Sequence, residues 1–457
     1  MENISNKKRK YFGTDGIRDI ANNNNMTPEF VLKLGRAYVL FLNKKGHKCL
    51  NIAVGRDTRH SGPMIQSALI AGMNSAGANV TDLGVIPTPG ASYALSKNNF
   101  SGGAIISASH NPAEYNGIKF LDSKGFKLTD MDELLIEEML EFEKEQERPI
   151  GGEVGIIFRG GHFSEEYLSS LILFLNTIKS QNFAITVDAA NGAASTFVKP
   201  LYKHWNDKVT FLANTPDGLN INNGVGVTHM NFLSAATVKN FSKLGIAYDG
   251  DTDRVLMCDS KGRIIDGDIM LWVIARWLAI KNELGSGLVA TVMSNMVLED
   301  LLAEEGIKVF RCGVGDRYVL DTMRKEKSML GGEQSGHIIA LNYSNTGDGL
   351  SSGNLFLKAI EELNEDISTL VDRFDKYPQT LTNIKISDKE KLMNHPILKE
   401  TIVKAEKMLS GKGRMLLRPS GTEPLLRIFV ESRDAKLKEK IATMLENVIK
   451  NILSEES

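Results

Sequence analysis

Short apolar runs alternate with longer amphipathic ones through most of the chain. Residues 51–54 read as a strand, a Gly-Pro turn leads into a one-sided helical pattern over 64–76, and residues 80–83 read as a second strand. The same βαβ rhythm returns at 183–188 followed by a predicted helix over 193–204, and at 287–291 followed by a helix over 297–306. Near the end the order changes: strand-like runs at 413–417 and 426–431 flank a turn-rich loop, and one helix over 435–452 follows. An acidic amphipathic helix over 130–148, read as a solvated face, ends in Pro149-Ile-Gly-Gly, which punctuates strongly. The pattern predicts an α/β protein of four domains, three mixed α/β domains followed by a smaller α+β domain, with boundaries at 1–150, 151–255, 256–372 and 373–457. No low-complexity tract or short-period repeat interrupts it.

Length supports the division, because 457 residues exceed what one hydrophobic core holds at roughly 150 residues per domain. A net charge of −2, from 54 basic and 56 acidic side chains, gives no general pull toward nucleic acid or an anionic membrane, so an anionic ligand must be small and locally bound. Cys49, Cys258 and Cys312 are too far apart for a zinc pattern and odd in number, which favours a reducing compartment. The basic start at 7–10 runs into Tyr-Phe-Gly-Thr-Asp-Gly without an apolar stretch and reads as a solvated arm rather than a secretory signal. The most apolar helix, 270–280, is short and contains Arg276, well below the roughly 20 residues a membrane span needs. A cytoplasmic protein without a membrane anchor is expected.

Four polar, Gly-rich loops follow strand-like segments, one per expected domain. The carboxyl ends of strands are where α/β sheets build ligand sites, so the simplest arrangement is one shared central cleft. Ile106-Ser-Ala-Ser-His-Asn-Pro112 places Ser107, Ser109 and His110 on a turn, and no G-x-S-x-G elbow surrounds the serine. A lone serine there is more often a cap or turn residue. The second loop, Tyr248-Asp-Gly-Asp-Thr-Asp-Arg254, changes those odds. Carboxylates at 249, 251 and 253 repel one another unless a hard cation neutralises them, and with Arg254 at the sixth position and Ser260 at the twelfth this is no EF-hand, so Mg²⁺ fits best. Gly331-Gly-Glu-Gln-Ser-Gly-His337 offers a set able to hydrogen-bond sugar hydroxyls, although a polar hairpin turn accounts for it equally well. Arg418-Pro-Ser-Gly-Thr-Glu-Pro424 with Arg427 supplies guanidinium forks, hydroxyls and Gly421 amides suited to a phosphate monoester.

These loops, with Tyr11-Phe-Gly-Thr-Asp-Gly-Ile-Arg18, Gly55-Arg-Asp-Thr-Arg59, Asn116-Gly-Ile-Lys119 and Val314-Gly-Asp-Arg-Tyr-Val319, resemble the α-D-phosphohexomutase family over essentially the whole chain. The resemblance implies a four-domain enzyme whose Ser109 is phosphorylated in the active form, with one Mg²⁺ held by Asp249, Asp251, Asp253 and the serine phosphate. It places Arg18, His110 and Lys119 near the phosphoserine, without saying which is the general base. It assigns substrate binding to Arg254, Gly315, Asp316, Arg317, Glu333, Ser335 and His337, and the non-reacting phosphate to Arg418, Ser420, Gly421, Thr422 and Arg427. The implied reaction is isomerisation of a hexose phosphate through a hexose 1,6-bisphosphate, which also serves as activator. A homodimer is suggested by the resemblance alone.

Asp217-Gly-Leu-Asn-Ile-Asn222 and the 331–337 loop resemble the family's glucosamine branch, which feeds UDP-N-acetylglucosamine and cell-wall precursors. Three positions depart from it: Thr252 where that branch has Gly, Val225-Gly-Val-Thr-His229 for Cys-Gly-Ser-Thr-His, and Ala113-Glu-Tyr-Asn116, which looks more like phosphomannomutases. Thr252 leaves the carboxylates intact and is expected to alter loop packing only; the others leave a phosphoglucomutase/phosphomannomutase of broader hexose specificity as the alternative. An aspartyl phosphomutase or phosphatase using Asp249-Gly-Asp251, and a silent phosphosugar-binding protein, are the rival readings. A nucleotide enzyme is disfavoured, since no P-loop occurs and Gly313-Val-Gly-Asp-Arg-Tyr318 lacks the last glycine of the dinucleotide fingerprint.

Overall fold

The computed structural model describes all residues except 1–8, 49, 143–146, 180–181, 204, 206–207, 420–423 and 456–457. The chain divides into two compact units, residues 1–293 with 305–372, and residues 294–304 with 373–457.

The first unit carries three sheets. One holds β1 (Ile17–Ile20), β2 (Asn51–Arg56), β3 (Asn79–Val85), β4 (Gly102–Ile106), β5 (Tyr115–Leu121) and β6 (Ile157–Arg159) in the order β1-β5-β4-β2-β3-β6. The next holds β7 (Ile185–Asp188), β8 (Val209–Leu212), β9 (Leu244–Tyr248), β10 (Val255–Asp259) and β11 (Ile264–Ile265) in the order β11-β10-β9-β7-β8. The third holds β12 (Leu288–Thr291), β13 (Val309–Cys312), β14 (Leu330–Gly332) and β15 (Ile338–Ala340) in the order β13-β12-β14-β15. All three repeat one path. Counted from β2, β7 and β12, two strands add in parallel on either side of the first, and the next strand returns antiparallel beside the third, as β5 does on β4, β10 on β9 and β15 on β14. Parallel neighbours need long crossovers, whereas an antiparallel return needs only a loop. Those returns are the first three polar loops, so each lies at the carboxyl end of the third strand of its path. β4 and β9 are buried along their whole length, as strands covered on both faces must be.

The second unit holds β16 (Gln379–Lys385), β17 (Gly413–Pro419) and β18 (Leu425–Ser432), antiparallel in the order β16-β18-β17. Leu398, Leu426, Ile428, Ile441, Leu445 and Ile449 make its core, with the helices Pro396–Leu409 and Ala435–Glu455. Its β17–β18 connection carries the fourth loop.

Several expectations change. The helix over 193–204 is a 3₁₀ turn, Ala193–Thr196, then a four-residue helix, Val198–Leu201, because Pro200 cannot donate and its ring would strike the carbonyl of residue 196 in a continuous helix. The acidic helix is Asp130–Phe142, and its face is not simply solvated: Glu133 is buried and ion-paired with Arg9 and Arg317. The N-terminal arm is bound rather than free from residue 9 on, since Glu137 accepts the backbone N–H groups of Lys10, Tyr11 and Phe12; Lys7 and Lys8 lie outside the described residues. β6 extends the first sheet beyond 150, and β10 and β11 extend the second beyond 255. Among the described residues no helix is long and apolar enough to cross a membrane.

Candidate active site

Ser109 sits just past β4 with φ +49°, a left-handed conformation that costs a non-glycine residue about 1–3 kcal/mol. Its N–H donates to Ser107 Oγ at 2.9 Å, and Ser107 Oγ in turn donates to Asp57. The Ser109 hydroxyl donates to Asp249 Oδ2 at 2.6 Å, and His110 Nδ1 lies 3.3 Å from the serine Oγ. Burial and the neighbouring Arg254 and Arg18 guanidiniums push the His110 imidazole down to about 4.

Asp249, Asp251 and Asp253 are all buried, and each offers one oxygen within 4.8 Å of the others. Burial and the charges of Asp253 and Asp251 push the Asp249 carboxyl well above the usual range. Asp253, against the upward push of burial, is held well below it by Lys119, His337 and Lys127. Asp251 is anchored through one oxygen, Oδ2, which accepts from Thr88 Oγ1 at 2.7 Å and Lys119 Nζ at 2.8 Å. Its other oxygen and Asp253 Oδ1 are buried with no hydrogen-bond partner among the described residues. Unpartnered buried carboxylate oxygens are costly, and a hard cation bound through oxygen removes that cost, so this donor set fits one.

With Thr252 in place the three carboxylates still cluster, at a local cost. It is buried at φ +66°, and its hydroxyl has no partner among the described residues. Left-handed backbone costs a side-chain-bearing residue about 1–2 kcal/mol, more than the ~0.5–1 kcal/mol of entropy that glycine loses. Thr252→Gly is therefore expected to stabilise the protein by about 1 kcal/mol, read as a higher denaturation midpoint; a lower midpoint would show that the Thr252 methyl packs more favourably than its backbone is strained.

Around the three carboxylates the charges interlock. Lys119 Nζ also meets Asp15 Oδ2 at 3.0 Å and Asp253 Oδ2 at 3.6 Å, and these carboxylates outweigh burial and raise its pKa. Asp15 further pairs with Arg18 and with Lys127, and Lys127 reaches Asp316. His337 is buried, with Nδ1 3.6 Å from Asp253 and Nε2 3.9 Å from Asp316, so it stands behind the carboxylate loop rather than open to a sugar. The 331–337 loop is both a hairpin and a neighbour of that site: the Gly336 carbonyl accepts from Val255 N–H, and Glu333 Oε1 accepts from Gly315 N–H at 3.1 Å, at the start of the helix Asp316–Glu326. Ser335 lies on the same turn, half-buried. Arg254 donates its N–H to Asp249 Oδ1, while the Arg317 guanidinium is turned onto Asp130 and Glu133.

In the second unit, Arg418 and Arg427 are exposed and directly opposite on β17 and β18. Like charges across an antiparallel pair repel, and an anion between them relieves that. Ser420, Gly421 and Thr422 lie outside the described residues.

Sequence reasoning missed Asp15, Asp57, Thr88 and Lys127. Asp15 and Asp57 stand inside segments already singled out for their motifs; Thr88 and Lys127 carry no such signal.

The chain matches the Phosphoglucomutase/phosphomannomutase alpha/beta/alpha domains I, II and III over residues 9–147, 165–262 and 266–377, and the C-terminal domain over 381–448. It is 44% identical to a phosphoglucosamine mutase of Carboxydothermus hydrogenoformans, over 97% of this chain and 100% of that one. Its fold is that of a phosphoglucomutase/phosphomannomutase family protein from Burkholderia thailandensis, with a TM-score of 0.80 at 22% identity over 96% and 97% of the two chains. It also resembles an Aspergillus fumigatus N-acetylphosphoglucosamine mutase solved with GlcNAc-6P and magnesium, with a TM-score of 0.64 at 14% identity over 97% and 96%. The chain therefore belongs to the phosphoglucomutase/phosphomannomutase family, the α-D-phosphohexomutases, and is a phosphosugar mutase, an isomerase most like the phosphoglucosamine mutases.

Proposed function

We propose that this enzyme interconverts glucosamine 6-phosphate and glucosamine 1-phosphate through a phosphoserine at Ser109 and a hexosamine 1,6-bisphosphate, feeding UDP-N-acetylglucosamine and cell-wall precursors. The observation that carries the reading is the Ser109 hydroxyl, held 2.6 Å from one of three buried, clustered carboxylates. In the forward step the P–Oγ bond of phosphoserine breaks, a P–O bond to a sugar hydroxyl forms, and that hydroxyl loses its proton. The bisphosphate then turns, and its other phosphate returns to Ser109.

Asp249, Asp251 and Asp253 would hold Mg²⁺, which supplies neutralisation of charge on the transferring phosphoryl group. Arg18 and Lys119 are cations tied to Asp15 and Asp251 and act on charge. His110, 3.3 Å from the serine oxygen, has the lone pair to take the hydroxyl proton. Glu333 and Ser335 hold sugar hydroxyls, and Arg418, Ser420, Gly421, Thr422 and Arg427 hold the non-reacting phosphate.

The glucosamine assignment rests on the 44% identical relative of that name. Two of the departing residues support it further: Val225 and Val227 are buried, with Val227 in a cluster with Met230 and Leu233, so they alter packing rather than an open surface. With Mg²⁺ and a trace of hexose 1,6-bisphosphate, kcat/KM for glucosamine 1-phosphate is expected to exceed that for glucose 1-phosphate by about tenfold or more. Equal or better use of glucose would replace this reading with the broader hexose mutase.

A further inference from the structure

Behind the serine, two side chains close on the same pair of carbonyls. Arg59 Nη2 donates to the carbonyl oxygens of Ser109 at 2.9 Å and Asn111 at 2.8 Å. Asn222 Nδ2 donates to the same two oxygens, at 2.8 and 3.0 Å. The rest of the Arg59 fork is spoken for by the Pro112 and Tyr115 carbonyls and by Asp57 Oδ2, 2.9 Å from Nε. Asn222 is itself pinned, at φ +56° with its N–H on the Ala190 carbonyl. Gly250 of the carboxylate loop closes the remaining side, since a Cβ there would stand 2.5 Å from the Ser109 carbonyl oxygen and 3.0 Å from Asn222 Nδ2.

Carbonyl dipoles turned to one point repel unless donors meet them, and Ser109 also carries left-handed strain. Donors that meet both carbonyls, the charged Arg59 guanidinium from one side and the Asn222 amide from the other, offset that strain. Arg59 follows β2 of the first sheet, whereas Asn222 belongs to the segment between β8 and the helix Met230–Lys239, in the part of the chain that builds the second sheet. The Asn222 amide therefore ties the backbone of the nucleophile, from one sheet, to the region that presents Asp249 from the other.

We infer that Asn222 is a positioning residue for phosphoryl transfer: with Arg59 opposite, it fixes the Ser109 carbonyl and hence the place of the serine oxygen against the carboxylates. This rests on Ser109 being the group that carries phosphate. Both phosphoserine and free serine must occupy one position for the two transfers to match, and a misplacement of about 1 Å costs on the order of 100-fold in rate.

The test compares Asn222→Ala and Asn222→Asp with wild type and Ser109→Ala. It reads kcat and KM for glucosamine 1-phosphate, the single-turnover phosphorylation of Ser109 by glucose 1,6-bisphosphate followed by intact mass, and the melting midpoint. Asn222→Ala is expected to lower kcat about 100-fold with KM within about threefold, and to slow phosphorylation by a similar factor. Asn222→Asp, the same shape with an oxygen facing two carbonyls, is expected to be worse. A folded variant with kcat within about threefold of wild type overturns the inference, as do variants that fail to fold or in which kcat falls only with the folded fraction. An active Ser109→Ala would instead overturn the phosphoserine reading on which it stands.

Discussion

Replacing Ser109 by alanine is expected to leave less than roughly one per cent of wild-type turnover in a protein that still folds. The hydroxyl is the group given to Asp249, 2.6 Å away, and no other hydroxyl oxygen is hydrogen-bonded to that carboxylate among the described residues. Alanine removes this oxygen and leaves the backbone bonds of residue 109 in place, because its N–H still reaches Ser107 and its carbonyl still meets Arg59 and Asn222. The steady-state assay with glucosamine 1-phosphate, beside a melting curve, checks both halves. Turnover above a few per cent would mean that phosphate travels by another route.

The second large effect concerns the metal. Asp249→Asn is expected to cut turnover by about 10³-fold and to abolish thermal stabilisation by Mg²⁺. A ligand at a hundred times its Kd stabilises the native state by about 2.7 kcal/mol, so the wild-type midpoint should rise clearly between chelator and millimolar Mg²⁺ while the variant's stays flat. The same substitution removes one of three mutually repelling buried charges. In chelator, therefore, the variant should melt no lower than wild type, since burial and its neighbours already oppose the charge on Asp249. A variant that kept the Mg²⁺-dependent rise would remove Asp249 from the ligand set.

Much of this site was legible in the sequence because its chemistry is local. Carboxylates at 249, 251 and 253 announce mutual repulsion by spacing alone, and strand periodicity placed them at the end of β9. Positioning contacts are not local. Thr88 meets Asp251, Lys127 bridges Asp15 and Asp316, and Asn222 reaches Ser109 only because the sheets bring distant segments together. The recurring βαβ rhythm was legible, but the shared strand order and antiparallel return were not, because they lie in the path of the strands, which unrelated apolar residues can follow equally well. Where expectation failed locally, one residue decided the outcome. Pro200 broke a helix that its apolar neighbours favoured, and Glu133 looked solvated until Arg9 and Arg317 enclosed it.

The central claim is that phosphate resides on Ser109. Dephosphorylated enzyme, incubated with Mg²⁺ and labelled glucose 1,6-bisphosphate, should take up about one phosphate per chain, stable in acid and located on the peptide containing Ser109. Acid-labile label, or label on the peptide containing Asp249, would contradict the account in favour of an aspartyl phosphate.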